Sequence, residues 1–521
     1  MQATNKNTGS VILLCSLALF ALLFAGSYPF LKYYIDPDAV NYITISKRYA
    51  SGDYMRAVNG MWSPFSCWLS ALFMKGSTDA VRTAHISNAL ACVAVICASF
   101  FLLKRFVEDR FIILMLMLAL PIALLDNLYE QLFDDLWQVF FLLCYLLSVS
   151  SKNFLQLWWK WLLCGVIAAF AYFAKAYSFY FILLHLPVSV FVLSKKEGKT
   201  LGANIKVLVV AFVTMFVVMT PWLNALHNKY GTWTLTKASS VNASWTLLGH
   251  KNFKEGIVHL IPPPYDNSPW NMEDPTFSQG PLHTAWESPK MMVSQVAHSG
   301  YALVQGLFVM NEMSILLFAV LLASAVMIFS KKEQSLFGSG HKILLWAALI
   351  MPMGYLLQHF ESRYIWLMGY MGMVLGAAWL MKLKEYVPMR SYRFLVFAFT
   401  FSYVVFPLYD LKGLINKGRP RYEEAMQIKQ LGIHGSFTSN GDCLWEGVTA
   451  LISEMPYYTI EHFDFDKKEL LAEMHRYHVN YYFFHYAKPE DCSAVFCDDE
   501  GKPFPEVTNG RIGGLRIYRV N

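Results

Sequence analysis

Charge is what this sequence has least of. Only 15% of its 521 residues are Asp, Glu, Lys or Arg, whereas a soluble domain carries about 25%, so an ordinary water-soluble globule is excluded. The net charge of +6 is modest, and its cations are spread through short connectors, so no nucleic-acid partner is implied. Cysteine is sparse as well. The nine cysteines are scattered, several fall inside apolar runs, and none has metal-ligand spacing, which argues against a zinc framework. Cys492 and Cys497 in CSAVFC form the closest pair; a disulfide between them, a pairing with Cys443, and unpaired thiols all stay open. The chain also has no glycine-rich phosphate loop, no internal repeat, and no inverted pair of broken apolar segments of the kind transporters use.

What it has instead is length of apolar run. Hydrophobic residues make up 55% and aromatics 16%, the latter suited to belts at headgroup level. Taking about 20 apolar residues per crossing, about eleven spans are predicted, near 11–30, 84–103, 111–127, 136–151, 157–174, 177–194, 205–224, 313–330, 342–358, 364–381 and 393–410. The first follows Lys6 and lacks a small-x-small cleavage site, so it reads as a retained helix and not a signal peptide. Lys104-Arg105 with Arg110, Lys152, Lys195-Lys196-Lys199, Lys331-Lys332 and Lys382-Lys384-Arg390-Arg393 all fall in alternate connectors. The positive-inside rule makes those connectors cytoplasmic. The expectation is a multi-pass protein of the inner (plasma) membrane with a cytoplasmic N-terminus and an extracytoplasmic tail.

The other parity holds the chemistry. It comprises the first loop 31–83, DNLYEQLFDD (126–135), the turn at Lys175, the long loop 225–312, the HFESRY turn (359–364) and the tail 411–521. Seven of the prolines in the long loop suggest an ordered, irregular cap. The tail alternates helix-like runs (EEAMQIKQLG, CLWEGVTALISEM, KKELLAEMHRYH) with strand-like ones (SFTSN, VNYYFFHYA, LRIYRV), which predicts a small α/β domain. The domain reading is therefore 1–410 as a transmembrane module and 411–521 as an extracytoplasmic α/β domain.

Asp36 and Asp38 open the first loop a few residues beyond an apolar helix, where a carboxylate must be solvated, paired or used. Either could serve as a general base toward a hydroxyl. Either could equally cap the helix that IDPDAVNYITISKRY predicts, with Pro37 in its first turn. Glu130, Asp134 and Asp135 form a second acidic group. They could position a hydroxyl nucleophile or bind a divalent cation, or Asp135 could simply cap the following helix. His359, Glu361, Arg363 and Tyr364 share a turn. Arg363 offers a planar fork suited to phosphate, or an ion pair with Glu361 that pins the turn. Lys175, alone in an apolar stretch, either snorkels to headgroups or meets a lipid phosphate.

In combination these segments resemble the polytopic glycosyltransferases of the C-type fold. That group includes protein O-mannosyltransferases, lipid A aminoarabinose transferases and related lipopolysaccharide-core glycosyltransferases. Asp38 stands four positions before Tyr42 in DAVNYITISKRYASGDY, similar to the family's acid at the start of a juxtamembrane helix. WSPFSCWLSALF resembles its proline-containing second outer helix. FAYFAKAYSFYF and HFESRYIWLMGYMGMVLGAAW are similar to its later lysine and E-x-R-Y elements. The resemblance covers roughly residues 10–410.

It implies an enzyme that moves a sugar from a polyprenyl-phosphate donor to a lipid, glycan or protein acceptor among membrane lipids, inverting at the anomeric carbon. No cofactor is required by it, and a divalent cation at the acidic loops stays possible. Asp38 would be the base, the second acidic group would position the acceptor, and Arg363 with Lys175 would hold the donor phosphate. Two departures stand out. Ser63-Pro64-Phe65 replaces the Lys-Pro-Pro of many relatives, leaving Arg56 or Lys175 to supply a cation. Ala39 follows Asp38 where many have a second acid, which here comes earlier, at Asp36. Two other classes compete: a transporter or flippase of lipid-linked saccharide, and a glycan polymerase or ligase.

Overall fold

The computed structural model describes the chain except for residue 1, 78, 249–259, 279, 281, 331–336, 358–359, 461–466, 487–495 and 499. It is a polytopic helical bundle with a small sheet near the C-terminus. Helix α1 (Gln2–Leu31) leads into three short helices, α2 (Pro37–Ser51), α3 (Tyr54–Ala57) and α4 (Pro64–Met74). The bundle continues through α5 (Ala80–Phe106), α6 (Arg110–Glu130), α7 (Asp134–Val149), α8 (Trp158–Ala174), α9 (Tyr177–Glu197) and α10 (Leu201–Tyr230). Among the described residues eight helices are long and apolar enough to cross a membrane, or nine when a bent pair is counted as one span. Helices α7 and α8, at 16 and 17 residues, fall short of the usual crossing length. They pack on each other and α8 packs on α10, closely enough that a Cβ at Gly165 would collide with the Ala211 carbonyl.

The sequence treats 225–312 as an irregular cap, and here the structure differs. Helix α10 runs on to Tyr230, α11 (Ala238–Leu248) follows, and α12 (Pro289–Met313) is a full 25 residues. Pro289 marks a helix start here: it occupies the first turn, where its missing N–H costs nothing, and the Ser288 side chain caps it. The expected span at 313–330 is in turn only α13 (Leu317–Phe329), which turns 109° from α12. Ser314 sits at the break, its Oγ 2.6 Å from that of Ser402 and accepting from the Leu316 N–H. Then come α14 (Ser339–Ile350), α15 (Trp366–Leu383), α16 (Met389–Phe401) and α17 (Val405–Leu414), the last running across residue 410.

Helix ends gather in two sets. At one end Lys384 and Tyr392 reach Asp109 at 2.7 and 2.6 Å, and Arg105 reaches Ser150 at 2.9 Å. At the other, the Asn416 N–H bonds the Phe30 carbonyl and Tyr177 bonds the Met351 carbonyl. Three of the connectors that are basic in sequence, those after α5, α7 and α15, thus share one end, and acidic and aromatic connectors meet at the other.

The tail is built as its alternation predicts: α18 (Arg419–Gln430), β1 (Phe437–Ser439), α19 (Cys443–Ser453), α20 (Lys467–Arg476), β2 (Tyr481–His485) and β3 (Leu515–Arg519). Strand β2 is central, parallel to β1 (Phe437 beside Tyr481) and antiparallel to β3 (Phe483 beside Ile517). Stacked Phe437 and Phe483 share an apolar cluster with Ile35, Val40 and Ile43 of the first loop and with Trp270. Trp270 also donates to Asn41 at 2.8 Å. Arg48 completes the fastening. Buried in α2, it bonds Asn267, Ser268 and both oxygens of the fully buried Glu273. Loop, cap and tail together therefore hold α2, and with it Asp36 and Asp38, against the bundle. The possible disulfide at Cys492 lies outside the described residues.

Candidate active site

Helix α2 begins where an Asp-Pro pair says it should. Asp36 is the N-cap and Pro37 the first helical residue. The Asp36 side chain accepts from the Ala39 N–H at 3.0 Å and, across the chain, from the Leu132 N–H at 3.2 Å. It is 4% exposed. Burial, reinforced by the charge of Asp38 and opposed by Arg363, pushes its carboxyl up to about 7. Asp38, two residues on, differs in every respect. Its side chain is 35% exposed and makes one bond across the fold, accepting from Arg363 Nη2 at 2.8 Å. Of the pair, Asp36 is thus the cap, and Asp38 is the one that faces Arg363.

Arg363 is the hub. Besides Asp38 it donates from Nη1 to Gln131 Oε1 at 2.6 Å, lies 3.7 Å from Asp135 Oδ2, and places Nε 2.5 Å from Glu361 Oε2. The Glu361 pair expected of a pinned turn is therefore real, and it coexists with a bond to the first loop. Lys175, beyond the end of α8, does not snorkel. Its Nζ bonds Asp135, lies 4.0 Å from Asp134, and sits 4.5 Å above the Tyr364 ring. Tyr364 stacks on Tyr355 at 4.3 Å, and Tyr355 lies tilted against Tyr177 at 3.9 Å. Two cations and the carboxylates of Asp38, Asp134, Asp135 and Glu361 thus converge over an aromatic floor at the acidic end of the bundle.

Asp134 and Asp135 form the first turn of α7; the cap position belongs to Phe133, which makes no side-chain capping bond. The alternative reading of Asp135 as a cap is therefore corrected: the side chain is committed to Lys175 and Arg363. Phe133 has φ +139°, a region that L side chains avoid and that costs roughly 1–3 kcal/mol. Its ring stacks on Tyr42 at 5.0 Å, and the Tyr42 hydroxyl bonds Asp134. The strained residue thus lies between Leu132, whose N–H donates to Asp36, and the two acids that face the Lys175 ammonium.

Three expected members lie elsewhere. Arg56 is not brought to this cluster. It is half exposed, 3.8 Å from Asp53, with its guanidinium 5.3 Å from the Tyr265 ring centre, in a separate group with Lys229 and Asp274. Glu130 ends α6 and faces a neighbouring cavity instead of Lys175. His359 lies outside the described residues. Sequence reasoning missed Gln131, and it missed Asp126, Glu312 and Asp410, which line that same cavity with Glu130. The signal was present: an acid inside an apolar run is a functional flag by default, and Asp126 is one. Among the described residues no three Asp, Glu, His or Cys side chains are disposed to hold a metal ion.

No family model and no curated protein matches the sequence. Solved structures do match its fold. ArnT from Cupriavidus metallidurans, in a crystal structure bound to undecaprenyl phosphate, superposes with a TM-score of 0.56 over 98% of each chain at 11% identity. An oligosaccharyltransferase from Archaeoglobus fulgidus, in its apo form, superposes with a TM-score of 0.53 over 92% of this chain and 69% of that one, at 10% identity. At such identities the likeness is one of fold, and it extends along nearly the whole chain.

Proposed function

From a chain that has the C-type fold of polytopic glycosyltransferases, we propose an integral-membrane glycosyltransferase that takes its sugar from a polyprenyl-phosphate donor. The acceptor is a hydroxyl of a lipid, glycan or protein. The alternate basic connectors support a reacting end on the extracytoplasmic side. The observation that carries this reading is the 2.8 Å contact of Asp38 with Arg363: a half-open carboxylate beside a nearly buried guanidinium, with Lys175 close by.

In the proposed step the acceptor oxygen attacks the anomeric carbon, and its proton passes to Asp38. The new C–O bond forms as the bond to the phosphate oxygen breaks, with inversion at carbon. The departing electron pair stays on polyprenyl phosphate, where Arg363 and Lys175 balance its charge. Arg363 presents a fork whose partner at rest is Asp38. A phosphate competes for that fork, and its arrival frees Asp38 to accept a proton. Asp36 is poorly suited to the task, since backbone N–H groups hold both its oxygens and its carboxyl is protonated up to neutral pH. Asp134 and Asp135 hold Lys175 in place and so act as positioning residues.

Reconstitution in liposomes with a panel of radiolabelled polyprenyl-phosphate sugars tests the reading. Label should enter an acceptor fraction with release of polyprenyl phosphate, and Arg363→Ala should weaken donor use. Donor crossing the bilayer with no polyprenyl phosphate released would overturn it in favour of a transporter.

A further inference from the structure

Helix α6 stops at Glu130 with Gln131 as its C-cap, and the last carbonyls of a helix have no partners within it. Asn88 of α5, 1% exposed, supplies them. Its Nδ2 donates to the Leu128 carbonyl at 3.0 Å and to the Gln131 carbonyl at 2.9 Å. From that anchored point each following residue engages a different part of the fold. The Leu132 N–H goes to Asp36, the Phe133 ring to Tyr42, and the Asp134 and Asp135 carboxylates to Lys175. The Gln131 backbone is thus fixed by α5 on one side and by the base of α2 on the other.

The Gln131 side chain meets Arg363 at 2.6 Å. A guanidinium only donates, so the amide oxygen is the atom that faces Nη1, and the NH2 group faces away. The other side chains that pair with Arg363 are carboxylates. Asp38 lies on Nη2 at 2.8 Å, Asp135 is 3.7 Å from Nη1, and Glu361 is at Nε. Three carboxylates around one cation already compete with any incoming phosphate, and a fourth would weaken its attraction further. A neutral amide holds Nη1 in one direction without adding negative charge, which is what a preorganised phosphate site requires. Without that amide the nearest acceptor for Nη1 is Asp135, and a move onto it re-aims the fork.

We propose that Gln131 is a positioning residue of the transfer site, a role that rests on the reading of Arg363 as the phosphate-binding group. Its amide oxygen aims the Arg363 fork at the donor phosphate, and Asn88 is the anchor behind it.

The test is competition between undecaprenyl phosphate and undecaprenol for the full chain in phosphatidylcholine nanodiscs, read by native mass spectrometry. The two lipids share a tail, so the ratio of their affinities reports the phosphate. Wild type should prefer the phosphate, and Arg363→Ala should abolish the preference. Gln131→Met keeps the length but has no carbonyl. It should cut the preference about ten-fold or more, the worth of one hydrogen bond to a charged group, and leave undecaprenol binding unchanged. Gln131→Glu restores an acceptor for Nη1 and adds the fourth carboxylate, so it should lower the preference while keeping the thermal midpoint. Asn88→Ala should lower the preference when Gln131 is present and add nothing to Gln131→Met. A wild-type preference in both Gln131 variants, with Arg363→Ala still abolishing it, would overturn the role of Gln131 and leave the transfer reading standing. A preference absent from wild type, or untouched by Arg363→Ala, would overturn both.

Discussion

Asp36 and Asp38 lie two positions apart, and the structure predicts opposite consequences for removing them. Asp36→Ala deletes the cap on α2, which costs about 1 kcal/mol. It also leaves the buried Leu132 N–H without its acceptor, a further 1–3 kcal/mol or so. The loss of about 2–4 kcal/mol should appear as a lowered thermal midpoint. Asp38→Asn should leave that midpoint almost unchanged, because Arg363 keeps Gln131, Asp135 and Glu361 as partners. It should instead lower transfer about 10²–10⁴-fold, the usual worth of a general base.

The two residues also differ with pH. The folded protein holds a proton on Asp36 up to about 7, against an ordinary value of 3.8. That favours the folded state fully below 3.8, and the advantage fades as pH rises through about 7. Asp36→Asn should flatten the fall in stability over that window while retaining most turnover. The assay is label transfer in membranes alongside thermal unfolding at a series of pH values. Full turnover by Asp38→Asn, or an equal loss in Asp36→Asn, would refute the division of labour.

Two further outcomes follow from buried charge. Lys175→Met strands Asp135 beneath the aromatic floor and should cost about 3–5 kcal/mol. Lys175→Met combined with Asp135→Asn should recover part of that loss, and a cycle of thermal midpoints that shows no coupling would refute the pairing. Arg48→Lys keeps the charge but loses the fork that bonds Asn267, Ser268 and Glu273 together. It should speed proteolysis of the cap around residues 260–278 before the bundle unfolds, and unchanged cleavage kinetics would count against Arg48 as the fastener.

Much of the architecture follows from local chemistry. Apolar runs of span length must be helices in a bilayer, because the backbone has no other way to satisfy its polar groups there. The Asp36-Pro37 start of α2 and the alternating tail strands are legible for the same reason: capping and period-two burial are properties of neighbouring residues. Chain parity likewise gathered the acidic and aromatic connectors at one end. Where the structure departs, the deciding contact is distant. The run at 313–330 breaks where Ser314 meets Ser402, 88 positions on, whereas the helix start at Pro289 rests on its neighbour Ser288 and was legible locally.

The sequence alone therefore determined a polytopic helical bundle, a capped juxtamembrane helix and the candidate residues at its acidic end. Only the tertiary structure joined Asp38 to Arg363 across 325 positions, gave Lys175 to Asp135, took Arg56 away, and buried Asp126 beside Glu312 and Asp410. The physical reason is that spans apolar on nearly every face carry little record of which face meets which neighbour. The partners of a buried charge are fixed by that packing, whereas the existence of each helix is fixed by its own residues.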